Sequence, residues 1–296
     1  MKLIRRHLLQ TSKNQNIRER WEVSRGPNIL TDSMLGSFGF KPASKRLKNS
    51  QATDSLTHYL GLKSQGVIAR VVSETILPKN IQIWKQVIDS LPDHAHNFVR
   101  KAMANQLPTL HNLKLWNCSP TNLCPRCGKD QTNKHVLSHC SSPDALARYT
   151  SRHNEVLKII AKWILSHLQG ANALYYDLTI PGTRHVCDLF NGPRPDLAIV
   201  SSSRMVIGEL TVCHETNLLS SRDYKLNKYS NLEDARSSAF RKHTVSVHTV
   251  EVSTLGFVAT EPNFFKIGGI PPFDQSVLRE LSKSAILLSR VIYCNR

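Results

Sequence analysis

RPDLAIV (Arg194–Val200), SSSR (Ser201–Arg204) and MVIGELTVC (Met205–Cys213) follow one another without interruption, and they decide how the chain is read. Each apolar run is short and rich in Ile, Leu and Val, and the polar residues between them suit a tight turn. The stretch therefore predicts adjacent antiparallel strands, 196–201 and 205–213. Pro195-Asp196 opens the first strand and Glu209 sits inside the second, so a short turn brings their carboxylates together. Glu209 is flanked by Val206, Ile207, Leu210 and Val212. An acid in so apolar a strand is costly to desolvate unless it has a partner or a metal ion. Paired carboxylates supply the hard oxygen ligands that Mg²⁺ or Mn²⁺ takes, and Mg²⁺ keeps waters for phosphates. RDYKLNKY (Arg222–Tyr229) then places Lys225 and Lys228 on one helix face at i, i+3. Either amine could steady an attacking hydroxide or the charge growing on a phosphate. Each feature also has a plain structural reading. A Pro-Asp can be a turn, a strand Glu can lie on a wet face, and two helical lysines can simply be solvated.

Outward from this hairpin the periodicities alternate. Arg152–Leu168 predicts an amphipathic helix, with Ser151 as its cap and Gly170 past its end. Ala173–Thr179 and Val186–Phe190 read as strands, Glu215–Lys242 as polar and helical, TVSVHTVEVST (Thr244–Thr254) as a half-buried strand and Gln275–Tyr293 as a final helix. This order predicts a mixed α/β domain over residues 146–296. Upstream, residues 53–115 read as helical: a short helix through Tyr59 and Leu60, Ile81–Leu91 closed by Pro92, and Phe98–Leu107 stopped by Pro108, with His94 and His96 in a loop between the last two. Residues 1–52 read as a flexible basic arm containing Lys41, Lys45, Arg46 and Lys48.

Residues 116–145 carry the second chemical signal. CPRCGKDQTNKHVLSHC spaces Cys124, Cys127, His135 and Cys140 as C-x2-C-x7-H-x4-C. Two cysteines two residues apart can grip one tetrahedral ion from a tight turn, and a nearby His and Cys can close the shell. Thiolates with imidazole select Zn²⁺, here in a structural role because so small a module has almost no core of its own. His139 or Cys118 could substitute for one ligand. Arg126, Lys129 and Lys134 surround the site and suit a grip on nucleic acid.

The whole chain agrees with a polyanionic partner. It has 296 residues, with 39 Lys and Arg against 22 Asp and Glu, a formal net charge of +17. Cations that neutralise phosphates release counterions, which drives nucleic-acid association. Membrane insertion is not expected: the longest apolar candidates, Val156–Leu165 and Ala285–Tyr293, are broken by Lys158, Lys162 and Arg290. The basic start lacks the apolar core of a secretory signal and matches a mitochondrial leader only weakly. Seven cysteines, an odd number mostly in one segment, argue for metal binding in a reducing compartment over a disulfide framework.

Asp196, Glu209 and a following lysine form the pattern of PD-(D/E)xK nucleases. Taken with the Cys/His module, Arg152-His153-Asn154, RPD, ELTV and K-x-x-K-Y, the order and spacing resemble the C-terminal part of site-specific non-LTR retrotransposon polyproteins, from about Trp116 to Gly256. There a CCHC knuckle precedes a restriction-like endonuclease. The resemblance implies a restriction-endonuclease-like mixed sheet flanked by helices, preceded by the zinc knuckle and an N-terminal helical region. It implies a nuclear enzyme that nicks a DNA target site so that the 3′ end primes reverse transcription of element RNA. It assigns Asp196 and Glu209 to the metal and relocates the motif lysine from Thr211 to Lys225 or Lys228. It gives Arg152, His153 and Arg194 to DNA or to packing of the site. Glu155 would be an extra acid on the metal side or a solvated first-turn residue. A reverse transcriptase needs a Tyr/Phe-x-Asp-Asp turn, and the chain has no adjacent Asp pair. Polymerase activity is therefore not encoded in it, and a catalytically inactive nucleic-acid-binding remnant is the alternative reading.

Overall fold

A computed structural model describes residues 52–259 and 270–296. The basic arm expected at residues 1–52 falls, but for Ala52, outside the described residues. Residues 60–296 form one compact unit, distinct from Met1–Tyr59.

The hairpin read from residues 194–213 is the centre of the sheet. Leu197–Val200 (β3) pairs antiparallel with Arg204–Cys213 (β4), in the register Leu197↔Gly208 to Val200↔Met205. Thr244–Ser253 (β5) lies parallel to β4 along the full length of both, and Ala173–Tyr176 (β1) pairs antiparallel with β3. Arg184–His185 (β2) adds a short parallel edge to β1. The result is an open mixed sheet in the order β2-β1-β3-β4-β5. Its faces follow the strand period of two. Leu197, Ile199, Val206 and Leu210 turn to one face, under Pro143–His167 (α5) and Gln275–Cys294 (α7). Ala198, Val200, Met205 and Ile207 turn to the other, with Tyr229 and Leu232. Leu218–Lys228 (α6) packs on β4 and β5 and buries only Leu218.

The N-terminal region includes the helices Val67–Thr75 (α1), Pro78–Asp89 (α2), Asp93–Met103 (α3) and Leu110–Leu115 (α4). Helices α1 to α3 share a core with Leu255, Phe257 and Ile286, and Trp84 stacks on Phe257 at 4.2 Å while its Nε1 donates to Leu255 O at 2.7 Å. None of the helices among the described residues is long and apolar enough to cross a membrane.

Several boundaries differ from the sequence reading. Pro78 and Pro92 act at helix starts, where their missing N–H costs nothing, so α2 and α3 begin earlier than expected. His94 and His96 consequently lie in the first turns of α3 and not in a loop. Helix α5 starts nine residues before Arg152: Ser142 accepts from Ala145 N, Pro143 takes the first position, and Ser151 is merely an exposed mid-helix residue. Val186–Phe190 is not a strand. His185 accepts from Cys187 N and turns Val186–Asp188 into one 3-10 turn. The helix expected over Glu215–Lys242 ends at Lys228, because the chain turns to bury Tyr229 and Leu232.

Gly256 is the tightest backbone position after β5. Its φ is +83°, and an added Cβ would sit 2.6 Å from Ser282 O of α7. Gly256→Ala combines left-handed strain with a steric clash that a side chain cannot relieve by rotating. It should lower unfolding free energy by about 3 kcal/mol, read from the urea midpoint. A change below about 0.5 kcal/mol, the usual range for surface substitutions, would contradict this packing.

Candidate functional site

Asp196 stands opposite Glu209 in the register that continues the β3–β4 ladder, on the face covered by α6. Glu209 is fully buried, and its Oε1 accepts from Asp196 N at 3.0 Å. Asp196 Oδ2 accepts from Leu210 N at 2.8 Å, so each carboxylate is held by the other strand's backbone. Lys225 of α6 closes the arrangement: its Nζ is 2.5 Å from Glu209 Oε2 and 3.5 Å from Asp196 Oδ2. His153 of α5 approaches from the side, with Nε2 3.4 Å from Asp196 Oδ2 and 3.3 Å from Leu210 O.

The electrostatics of the two acids diverge. Burial, then the neighbouring Asp196 charge, push Glu209 up to about 7 despite Lys225. Burial would also raise Asp196, but the His153 hydrogen bond and charge, the Lys225 charge and the Leu210 N–H outweigh it and hold that carboxyl below its ordinary value. Burial pulls Lys225 down, yet the two acids more than compensate and its pKa is raised. Two carboxylates therefore face one ammonium, and the excess negative charge is felt at Glu209.

Of the two lysines, Lys225 alone reaches the acids. Lys228 Nζ donates to Tyr229 OH at 3.0 Å and lies 4.6 Å from that ring's centre. Tyr229 OH donates to Arg194 O at 3.0 Å, which fixes the chain just before Asp196. Arg194 is exposed at the rim and paired with Asp177, at 3.0 and 3.2 Å. Arg152 requires a correction: it is buried, donating to Ser289 Oγ at 2.9 Å and approaching Val212 O at 3.4 Å, so it is an internal packing residue and cannot contact nucleic acid. The sequence reading missed the Arg222–Glu251 pair (2.7 Å), which anchors α6 to β5 one turn before Lys225. Glu251 in an alternating strand and Arg222 three residues before Lys225 were the signals that could have found it.

The Cys/His module forms a second cluster. The ligand atoms of Cys124, Cys127, His135 and Cys140 lie within 4.8 Å of one another. Cys124 Sγ is 4.0 Å and Cys127 Sγ 3.8 Å from Cys140 Sγ, and Cys127 Sγ is 3.3 Å from His135 Nε2. These separations are far too long for a disulfide, about 2.05 Å. They match the edges of a tetrahedron around zinc, roughly 3.8 Å for S–S given Zn–S bonds of about 2.3 Å. A π-helical turn, His135–His139, brings His135 and Cys140 to the cysteine pair, and Gly128 at φ +72° turns the chain after Cys127. Burial, with Lys129 nearby, lowers the pKa of His135 and favours its neutral, ligating form. The cluster could hold a zinc ion. Neither substitute ligand joins it: His139 turns to Ser138 and Asn217, and Cys118 is exposed beside Trp116 O. Around it, Arg126 pairs with Asp144 and Lys134 donates to Asn217 at 2.8 Å, while Lys129 is exposed.

No family model matches the sequence, and no curated protein is significantly similar to it.

Two measurements test these sites. The purified protein should carry about one equivalent of zinc, lost in Cys127→Ser; absence of metal from the wild-type protein would remove the tetrahedral reading. At the acid site, the folded pKa of Glu209, about 7, lies above its unfolded value of about 4.3, so the contribution of this group to stability is lost as pH rises through that window. Lys225→Met raises the carboxyl further and extends the loss above pH 7. The substitution should cost about 3–5 kcal/mol at pH 8 and clearly less at pH 6, measured by urea unfolding. An equal cost at both pH values would mean that Glu209 is not a buried charge balanced by this lysine.

Proposed function

We propose that this chain is a divalent-metal-dependent DNA endonuclease module of the PD-(D/E)xK type, the restriction-like nicking portion of a non-LTR retrotransposon polyprotein. It would act in the nucleus on a DNA target site, with element RNA as a further partner and a zinc knuckle beside the nuclease body. One observation carries the reading: Asp196 at the entry to β3, Glu209 on β4 and Lys225 from the next helix converge on one point. That is the chemistry the motif order called for, with the amine supplied by the helix in place of Thr211.

The donor set fits a hard cation. Asp196 and Glu209 offer carboxylate oxygens, and one ammonium leaves them with excess negative charge. Mg²⁺ or Mn²⁺, when bound there, supplies Lewis-acid activation of a phosphodiester and of water. The residues of the chain do the rest. Lys225 is placed to hold an attacking water or to meet the charge that grows on phosphate. His153 and the Leu210 N–H keep Asp196 ionised and oriented. Arg194, exposed at the rim and steadied by Asp177, is placed to meet the DNA backbone, and Arg126, Lys129 and Lys134 extend the cationic surface around the knuckle.

The second reading, an inactive nucleic-acid-binding remnant, is favoured by the short Lys225–Glu209 contact at 2.5 Å, which a purely structural ion pair would also make. Incubation with supercoiled plasmid separates the two. The nuclease should nick in Mg²⁺ and not in EDTA, with Asp196→Asn and Lys225→Met each lowering the rate about 100-fold or more. Salt-sensitive binding without nicking by any form would establish the remnant.

A further inference from the structure

The Cys3His cluster and the acid site are joined by one helix, and the joint is built from specific contacts. The start of α5 rests on the ligand loop. Ser142, its N-cap, has Oγ 3.3 Å from Cys140 Sγ, and Ala145 packs against Cys124 and Cys140. Two turns on, Tyr149 reaches back. Its hydroxyl accepts from Cys140 N at 3.2 Å and donates its single O–H toward Val136 O at 2.9 Å and His135 O at 3.1 Å. It thus ties together the backbone of the π-helical turn that brings His135 and Cys140 to the cluster.

Tyr149 also neighbours Arg152. The Arg152 guanidinium lies 5.5 Å from the ring centre and is bound in turn to Ser289 of α7 and Val212 O of β4. His153, one helical turn beyond Tyr149 and so on the same face, meets Asp196 Oδ2 and Leu210 O. The chain of groups runs from the cluster residues to Tyr149 by hydrogen bonds, from Tyr149 to His153 along one turn of α5, and from His153 to Asp196 and Leu210.

We infer that the zinc cluster positions the acid site, and that Tyr149 is the positioning residue through which it does so. Zinc orders the His135–Cys140 turn, the turn fixes Tyr149 and the first half of α5, and α5 sets His153 against Asp196. This resembles the way groups just outside a metal's ligands orient a site, here turned outward so that the metal orients a distant one. The inference rests on the proposed nuclease for its kinetic consequence, but the mechanical link can be read without catalysis.

Tyr149→Phe keeps the ring and removes the hydroxyl bonds. It should retain one metal equivalent and an unchanged Co²⁺ thiolate absorption band. Amide exchange should become about 5- to 10-fold faster in peptides covering Leu210 and residues 153–157, with Ala173–Tyr176 unaffected. Plasmid nicking in Mg²⁺ should lose a similar factor in kcat with KM for DNA unchanged. Cys127→Ser should produce the same acceleration at Leu210. Exchange at Leu210 that stays at the wild-type rate in metal-loaded Tyr149→Phe, or acceleration in Cys127→Ser confined to residues 116–145, would overturn the inference. A protein that never nicks but shows the exchange pattern would sink the nuclease reading and leave the positioning role of Tyr149 standing.

Discussion

The ammonium of Lys225 lies between two carboxylates on the covered face of a sheet, and the local structure is arranged to make that burial tolerable. Glu209 is fully buried within a strand otherwise committed to the core. An isolated charge there would be untenable, and removing one partner of such a pair is far more costly than the pair's net worth. The fold answers with Asp196 N and Lys225 on Glu209, and with Leu210 N and His153 on the neighbouring Asp196, groups drawn from the residue before β3 and from β4, α6 and α5. The site is thus a meeting point of elements distant in sequence, and its charges are stable only while those elements hold register.

Helix α6 shows how polar contacts can place a helix that hydrophobic burial does not. It buries only Leu218, yet Arg222 on Glu251 and Lys225 on Glu209 fasten it to two neighbouring strands one helical turn apart. Exchanging hydrophobic anchoring for ion pairs makes its position dependent on charge. A divalent cation competing for the acids would change the partners of Lys225 without disturbing Arg222. In the proposed nuclease this leaves one lysine free to serve chemistry while the helix stays in place.

The Cys/His module solves a different problem. Its own apolar cluster is small, the cysteines with Ala145 and Tyr149, while Leu137 is buried in the core shared with the N-terminal helices, so a metal ion would supply order that this small cluster does not. The first turns of α5 are assembled directly on the ligand loop. Such a module is therefore continuous with the α/β body, and helix α5 runs across the boundary expected near residue 145.

The β3–β4 hairpin, the pairing of Asp196 with Glu209, and the clustering of Cys124, Cys127, His135 and Cys140 could all be read from the chain, because short apolar runs and tight Cys/His spacings are local and carry their own geometry. Helix starts at Pro78, Pro92 and Ser142 are also written locally, yet Pro92, which reads as the stop of one helix, serves as the cap of the next. The choice of Lys225 over Lys228 was not legible, since both lie one turn apart on the same polar helix. The sheet below decides it, by placing Glu209 under one and Tyr229 beside the other. Likewise the sequence leaves Arg152 to DNA contact or to packing, and only the packing of α5 against α7 and β4 turns it inward. Charges are assigned their roles by what long-range packing brings within a few ångströms, and no sequence window contains that distance.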